Sequence, residues 1–361
     1  MITGSHNPKN YNGFKVVIND SPISGLEILN LISDKFSNFK HLGKEIIKDD
    51  IMNEYINEVI SQANPNSKKM KIVIDCGNGS AGEIAPKLMR KLGHEVEELY
   101  CEIDGNFPNH HPDPGKIDNL QDLIKEVKNK AADIGIAFDG DGDRLGVVSS
   151  KGEIVYPDQL LMIFSKKILK NNLGGKIIFD VKCTNLLKEI ITDAGGIPIM
   201  SPTGHFHIKN ALKKTNAPLA GEMSGHIFFN DEWYGFDDAH YSAFRLIEIL
   251  NESENSLDDI VNDLPKAFST PEMNLDVEES KKFQIVEDFI LKADVGAGEK
   301  ITIDGLRVNF VDGWGLLRAS NTTPKLVLRF EANSLKRLDE IKNIFLKQLK
   351  KIDETINIEL S

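Results

Sequence analysis

A short apolar run closed by an aspartate, Lys71–Asp75 (KIVID), returns further along the chain as Lys176–Asp180 (KIIFD). Each run leads into helical spacing, a glycine turn and a second short run. These are Glu83–Leu92, Gly93 and Glu95–Tyr100 in the first unit, and Leu186–Asp193, Gly195-Gly196 and Ile197–Met200 in the second. Apolar runs this short, alternating with helices, are the pattern of strands buried on both faces of a mostly parallel sheet. Two such units about a hundred residues apart predict two related α/β domains. Asp133–Phe138 adds a strand to the first unit, and its end carries the most acidic loop of the chain.

Beyond Pro265 the texture changes. Strand-like runs at Ile301–Ile303, Leu306–Phe310 and Leu326–Phe330 precede one helix, Leu335–Lys350, which predicts a separate α+β domain. At the other end, Phe14–Ile18 reads as one strand followed by a helix near Leu26–Phe36, a piece too short to build its own core. The expected fold class is α/β, with tandem related α/β domains whose mixed, mostly parallel sheets are sandwiched by helices, plus a C-terminal α+β domain. The expected divisions are 1–50, 51–153, 154–265 and 266–361.

A chain of 361 residues with 40% hydrophobic side chains can bury several cores. No apolar run is long enough to span a membrane, and the N-terminus lacks the basic and apolar blocks of a signal peptide. Cys76, Cys101 and Cys183 are too few and too widely spaced for a disulfide framework or a zinc site, which fits a reducing, cytoplasmic setting. A net charge of −12 argues against nucleic acid as a partner. An anionic ligand would have to be drawn by a local basic pocket rather than by the whole surface.

Four loops carry chemistry. Asp139-Gly140-Asp141-Gly142-Asp143-Arg144 puts three carboxylates at alternate positions, which in an extended segment would face one side and suit Mg²⁺ or Ca²⁺. A calcium loop of the EF-hand kind needs Gly sixth and Glu twelfth, where this chain has Arg144 and Ser150. Thr3-Gly4-Ser5-His6-Asn7-Pro8, followed by Lys15, joins a serine nucleophile to a histidine and a lysine, although the same residues are ordinary loop formers. In Gly221-Glu222-Met223-Ser224-Gly225-His226 the alternating Glu222, Ser224 and His226 would share one face of an extended loop. A polar turn between strands is the plainer reading. Arg318-Ala319-Ser320-Asn321-Thr322-Thr323-Pro324 offers an anion cradle, with a hairpin loop as its alternative. A fifth pattern, Gly77-x-Gly79-x-x-Gly82, outlines a dinucleotide turn, but Asp75 precedes it and the second unit has no counterpart, so it reads as tight-turn glycine.

Taken together, these loops and their order resemble the α-D-phosphohexomutase superfamily. The Gly-Glu-Met-Ser-Gly-His form and Phe107-Pro108-Asn109-His110-His111-Pro112-Asp113-Pro114 are similar to its phosphomannomutase/phosphoglucomutase branch. The resemblance implies a serine phosphorylated at Ser5, and Mg²⁺ held by Asp139, Asp141, Asp143 and that serine. It implies charge balance from His6, Lys15 and Arg144, and a general acid/base at His226. Lys182, Thr203, Gly204 and His205 match further substrate contacts, Glu222 and Ser224 the sugar hydroxyl contacts, and Arg318, Ser320, Asn321 and Thr322 the holder of the non-reacting phosphate. The implied reaction interconverts hexose 1- and 6-phosphates through a hexose 1,6-bisphosphate, with phosphosugars as partners and no obligatory protein partner. Superfamily members carry most of a first α/β domain ahead of the serine loop, whereas this sequence starts at that loop. Residues 1–50 are therefore expected to be a remnant of that domain, and turnover by this chain to be low. The alternatives are a non-catalytic phosphosugar-binding fragment and an NAD-dependent dehydrogenase resting on the glycine turn.

Overall fold

The computed structural model of the chain describes residues 1–5, 7, 10–19, 21–31, 43–64 and 68–356. Near the N-terminus, β1 (Ile2–Thr3) pairs with β2 (Gly13–Phe14), and β3 (Val16–Ile18) pairs with β4 (Ser21–Ile23). The expected single strand over Phe14–Ile18 is thus two, because the chain breaks at Lys15, whose ammonium turns to Asp141 and Asp143. Helix α1 (Gly25–Leu31) buries no residue, and its expected continuation to Phe36 lies outside the described residues. Two-stranded ribbons have no second layer to cover them. Phe14, Val17, Leu26 and Leu29 accordingly stay exposed. Helix α2 (Ile51–Ser61) differs, since Ile56 and Val59 enter the main core.

The elements expected in the first unit form with small shifts, and a helix over 121–130 and two strands after residue 144 join them. The unit comprises β5 (Lys71–Asp75), α3 (Ala85–Lys91), β6 (Glu95–Leu99), α4 (Gln121–Lys130), β7 (Ile134–Phe138), β8 (Leu145–Ser149) and β9 (Ile154–Val155). Its sheet order is β6-β5-β7-β8-β9, with β5 parallel to β6 and β7, and β8 antiparallel to β7. The second unit follows α5 (Pro157–Leu169) with β10 (Lys176–Asp180), α6 (Asn185–Asp193), β11 (Ile197–Ser201), α7 (His205–Thr215), β12 (Leu219–Gly221), β13 (Ile227–Phe229), α8 (Ala239–Glu252) and α9 (Leu257–Asn262). Its order, β11-β10-β12-β13, repeats the first four strands of the other sheet, pairing directions included. Strand β10 reads IIFD after its lysine and is buried throughout that run, as a central parallel strand must be.

The two sheets share one apolar core, which takes in Ile72, Ile74 and Phe138 from the first and Ile177, Phe179 and Phe229 from the second. Helix α8 packs on both β8 and β13 and so joins them. The C-terminal part has its own core and an all-antiparallel sheet. Its elements are β14 (Phe268–Ser269), β15 (Met273–Asp276), α10 (Lys282–Lys292), β16 (Glu299–Ile301), β17 (Leu306–Phe310), β18 (Gly313–Ala319), β19 (Lys325–Ala332) and α11 (Leu335–Ile352). Strand β16 sits earlier than the expected Ile301–Ile303, because residues 302–305 are the turn into β17. This part docks on the turn after β10. Arg307 stacks on Trp314, 3.8 Å from its ring centroid, and donates to the carbonyls of Val181 and Cys183, while Arg329 donates to that of Lys182.

Candidate active site and metal centre

The loop after β7 folds as a turn rather than an extended run, with the Gly142 N–H donating to the Asp139 carbonyl at 3.2 Å. The extended run expected from the alternation does not form, yet one oxygen from each of Asp139, Asp141 and Asp143 lies within 4.8 Å of the others. Asp139 braces the turn by accepting the N–H groups of Asp143 and Arg144 at 3.0 and 3.1 Å. Burial and the two neighbouring carboxylates push the Asp139 pKa well above the usual range. Asp141 goes the other way. Burial opposes its charge, but Lys15 and a hydrogen bond from Thr3 outweigh it and lower the pKa. One oxygen each of Asp141 and Asp143 is buried with no hydrogen-bond partner among the described residues. Hard oxygens left unsatisfied beside one another are the donor set of a divalent cation such as Mg²⁺.

The serine loop reaches this cluster from the far end of the chain. The Ser5 hydroxyl donates to Asp139 at 3.3 Å, and Lys15 donates to Asp141 at 3.1 Å and to Asp143. Gly140 makes the approach possible, because a Cβ there would stand 2.2 Å from the Ser5 carbonyl oxygen. Ser5 itself has φ of 49°, the left-handed conformation that a side chain adopts only when surroundings hold it. His6 lies outside the described residues.

The loop after β12 is also a turn, closed by the Gly225 N–H on the Glu222 carbonyl at 3.1 Å. Glu222, only 2% exposed, accepts the Gly204 N–H at 2.7 Å and the Ser224 hydroxyl at 3.0 Å. Burial raises its pKa. His226 does not share that face. Its Nε2 accepts from Arg144 Nε at 3.0 Å, which leaves the proton on Nδ1, 3.2 Å from Asp237 and 3.4 Å from Asp143. Burial opposes a second proton on this ring, but the two carboxylates outweigh it and raise the pKa. A second proton would occupy Nε2, so His226 can either take a proton or hold Arg144.

Lys182 is buried and donates to Glu272 at 3.0 Å; despite burial, Glu272 and Asp180 raise its pKa. Thr203 donates through its hydroxyl to Asp180 at 3.1 Å and through its N–H to Asp304 at 2.9 Å. His205 starts α7 and is pushed down to about 4, chiefly by burial. Arg318, 4% exposed, donates from Nε to Asp304 at 2.9 Å and keeps a buried Nη2 with no hydrogen-bond partner among the described residues. Ser320 Oγ accepts the Thr323 N–H at 3.2 Å, shaping the β18–β19 hairpin loop that exposes Asn321 and Thr322. The sequence reading assigns no role to Thr3, Asp180, Asp237, Glu272 or Asp304. Thr3, which opens the serine loop, and Asp180, which closes the repeated KIIFD run, are the two that a pattern signalled. The glycine turn at Gly77 is packing rather than a ligand site, since Cβ atoms at Gly79 and Gly82 would meet Gly140 at 2.9 Å and the Cys101 oxygen at 2.0 Å.

Known proteins match this architecture along nearly the whole chain. Three family models match in sequence: phosphoglucomutase/phosphomannomutase alpha/beta/alpha domain II over residues 53–152, domain III over 156–268 and the C-terminal domain over 272–348. The phosphomannomutase/phosphoglucomutase of Pseudomonas putida is 50% identical over 99% of this chain and 77% of its own length. The phosphoglucomutase of Neisseria meningitidis is 51% identical over 96% of this chain and 76% of its own. A solved structure of a phosphoglucomutase/phosphomannomutase family protein from Burkholderia thailandensis superposes with a TM-score of 0.89 at 44% identity, over 99% of this chain and 77% of that one. The chain belongs to the phosphoglucomutase/phosphomannomutase family.

Proposed function

We propose that the chain is a phosphohexomutase that interconverts glucose or mannose 1-phosphate with the corresponding 6-phosphate through a phosphoserine at Ser5. One observation carries the reading: the Ser5 hydroxyl rests on Asp139 inside the three-aspartate cluster, with Lys15 bridging the other two carboxylates. Phosphoryl transfer asks little of a protein beyond in-line placement and charge neutralisation. Mg²⁺ bound by Asp139, Asp141 and Asp143 would neutralise charge on the transferring group. Lys15 and Arg144 add fixed positive charge at the same place. His226 gives up Arg144 when it accepts a sugar hydroxyl proton on Nε2, which releases that guanidinium for the phosphoryl oxygens. Glu222 and Ser224 hold sugar hydroxyls, with His205 and the Thr203-Gly204 turn beside them. Arg318, through the Nη2 that has no partner among the described residues, Lys182 and the 320–322 loop hold the other phosphate. The hexose 1,6-bisphosphate turns end for end in that cradle, and the second phosphate returns to Ser5.

The same reading assigns residues 1–50 to the phosphoserine part, 51–153 to metal, 154–265 to sugar and 266–361 to phosphate. It places the enzyme in the cytoplasm with small phosphosugars as its partners. The three cysteines are free, and no helix among the described residues is long and apolar enough to cross a membrane. The test is turnover of glucose 1-phosphate with trace glucose 1,6-bisphosphate and Mg²⁺, for the chain and for Ser5→Ala. Turnover that survives in Ser5→Ala would overturn the phosphoserine route. Binding of glucose 1-phosphate without turnover would support the binding-fragment alternative instead.

A further inference from the structure

We propose that Asp304 is a positioning residue that couples phosphate binding by the C-terminal domain to the sugar-facing turn at Thr203-Gly204; the inference rests on the phosphohexomutase reading for the identity of the phosphate. Asp304 lies in the turn between β16 and β17 and is 15% exposed. A single oxygen, Oδ2, accepts both Arg318 Nε and the Thr203 N–H, each at 2.9 Å. The first bond stays inside the C-terminal sheet and the second crosses to the other α/β unit.

The two sides are held differently. Next to Asp304, a Cβ at Gly305 would meet the Leu317 oxygen at 2.2 Å and Arg318 Cα at 2.7 Å. The turn therefore lies hard against β18 where Arg318 leaves it, and the Asp304–Arg318 pair moves as one piece. On the far side, the Thr203-Gly204 turn is otherwise tied within its own unit, by the Thr203 hydroxyl on Asp180 at 3.1 Å and by Gly204 N–H on Glu222 at 2.7 Å. Arg318 meanwhile keeps a buried Nη2 with no hydrogen-bond partner among the described residues. A phosphate gripped by that nitrogen fixes the guanidinium, hence Asp304, and hence the Thr203 N–H beside the carboxylate that meets sugar hydroxyls. An ionised acceptor bound to two donors is strong enough to carry such coupling.

The test uses Asp304→Asn, compared with the unsubstituted chain by thermal unfolding, steady-state kinetics with glucose 1-phosphate, and amide exchange read by NMR. The expected result is an unchanged melting profile, a KM raised about tenfold and a kcat within about threefold, the signature of weakened phosphate placement rather than lost chemistry. Ligand should slow exchange at both Thr203 and Gly204 in the unsubstituted chain, but at Gly204 alone in the variant, since Glu222 still holds that N–H. A merely structural role would move the two amides together. Equal ligand protection of Thr203 in both proteins, or an unchanged KM, would overturn the coupling. If the unsubstituted chain shows no turnover, the mutase reading has failed, and inorganic phosphate as the probe still decides the inference. Phosphate that protects Thr203 only when Asp304 is present supports it, and phosphate that protects Thr203 in neither protein or in both overturns it.

Discussion

The loop 139–144 and the loop 222–226 occupy the same place in two sheets of the same strand order, one between β7 and β8, the other between β12 and β13. They solve opposite electrostatic problems. The first crowds three carboxylates into a turn and leaves two oxygens without a hydrogen-bond partner among the described residues, a charge arrangement stable only beside cations. The second carries one buried carboxylate that is satisfied by an N–H and a hydroxyl. The loops also touch. Arg144 and His226 form an isolated antiparallel bridge, and the Leu145 N–H donates to the Gly225 carbonyl at 3.1 Å. Equivalent topology thus brings two loops together, and their side chains alone decide that one crowds carboxylates while the other satisfies its single carboxylate from within.

The sharpest way to break this contrast is Asp141→Ala. Its affinity for Mg²⁺, measured by calorimetry, should fall at least about a hundredfold, since even the outer partners of metal ligands are worth ten- to a hundredfold. Equal affinity in both proteins would remove the metal assignment. Glu222→Gln is the counterpart in the other loop. It keeps size but loses the charge-assisted hydrogen bonds, so kcat/KM should drop about thirtyfold with Mg²⁺ affinity unchanged. A change in Mg²⁺ binding there would show that the two loops do not divide the work.

The proposed function also gives the second loop the choice of sugar. With Glu222 and Ser224 flanking the unbranched Met223 and proposed to hold only hydroxyls that glucose and mannose share, kcat/KM for the two 1-phosphates should agree within about tenfold. A preference above about a thousandfold would mean that the 2-position is read directly. The smallest effect concerns pH. The His205 pKa is pushed down to about 4 in the folded chain, while the unfolded chain takes its proton near pH 6.5. Its contribution is whole above about pH 6.5 and is lost as pH falls toward 4, because only the unfolded state binds the proton there. Urea midpoints should therefore fall less between about pH 7 and pH 5 in His205→Asn than in the unsubstituted chain. A parallel decline in both would clear His205 of this role.

Strands β5, β6, β7, β10 and β11, the C-terminal helix α11, the aspartate loop and the 318–324 loop are legible in the sequence, because each depends on near neighbours. KIVID and KIIFD announce buried strands by composition alone, and Asp139, Asp141 and Asp143 are too close in the chain to part whether it runs extended or turns. Strand β18 escapes this reading, since Gly313-Trp314-Gly315 breaks the apolar run that would mark it. The break at Lys15 escapes too, because its cause, Asp141 and Asp143, lies far away in sequence. Asp237, Glu272 and Asp304 lie outside the four loops, and nothing beside them in the sequence sets them apart from acidic residues that only meet water. Tertiary structure alone sets Asp237 against His226, Glu272 against Lys182 and Asp304 between Arg318 and Thr203. Periodicity is a property of neighbours along the chain, whereas the use of a carboxylate depends on which donor the fold carries to it.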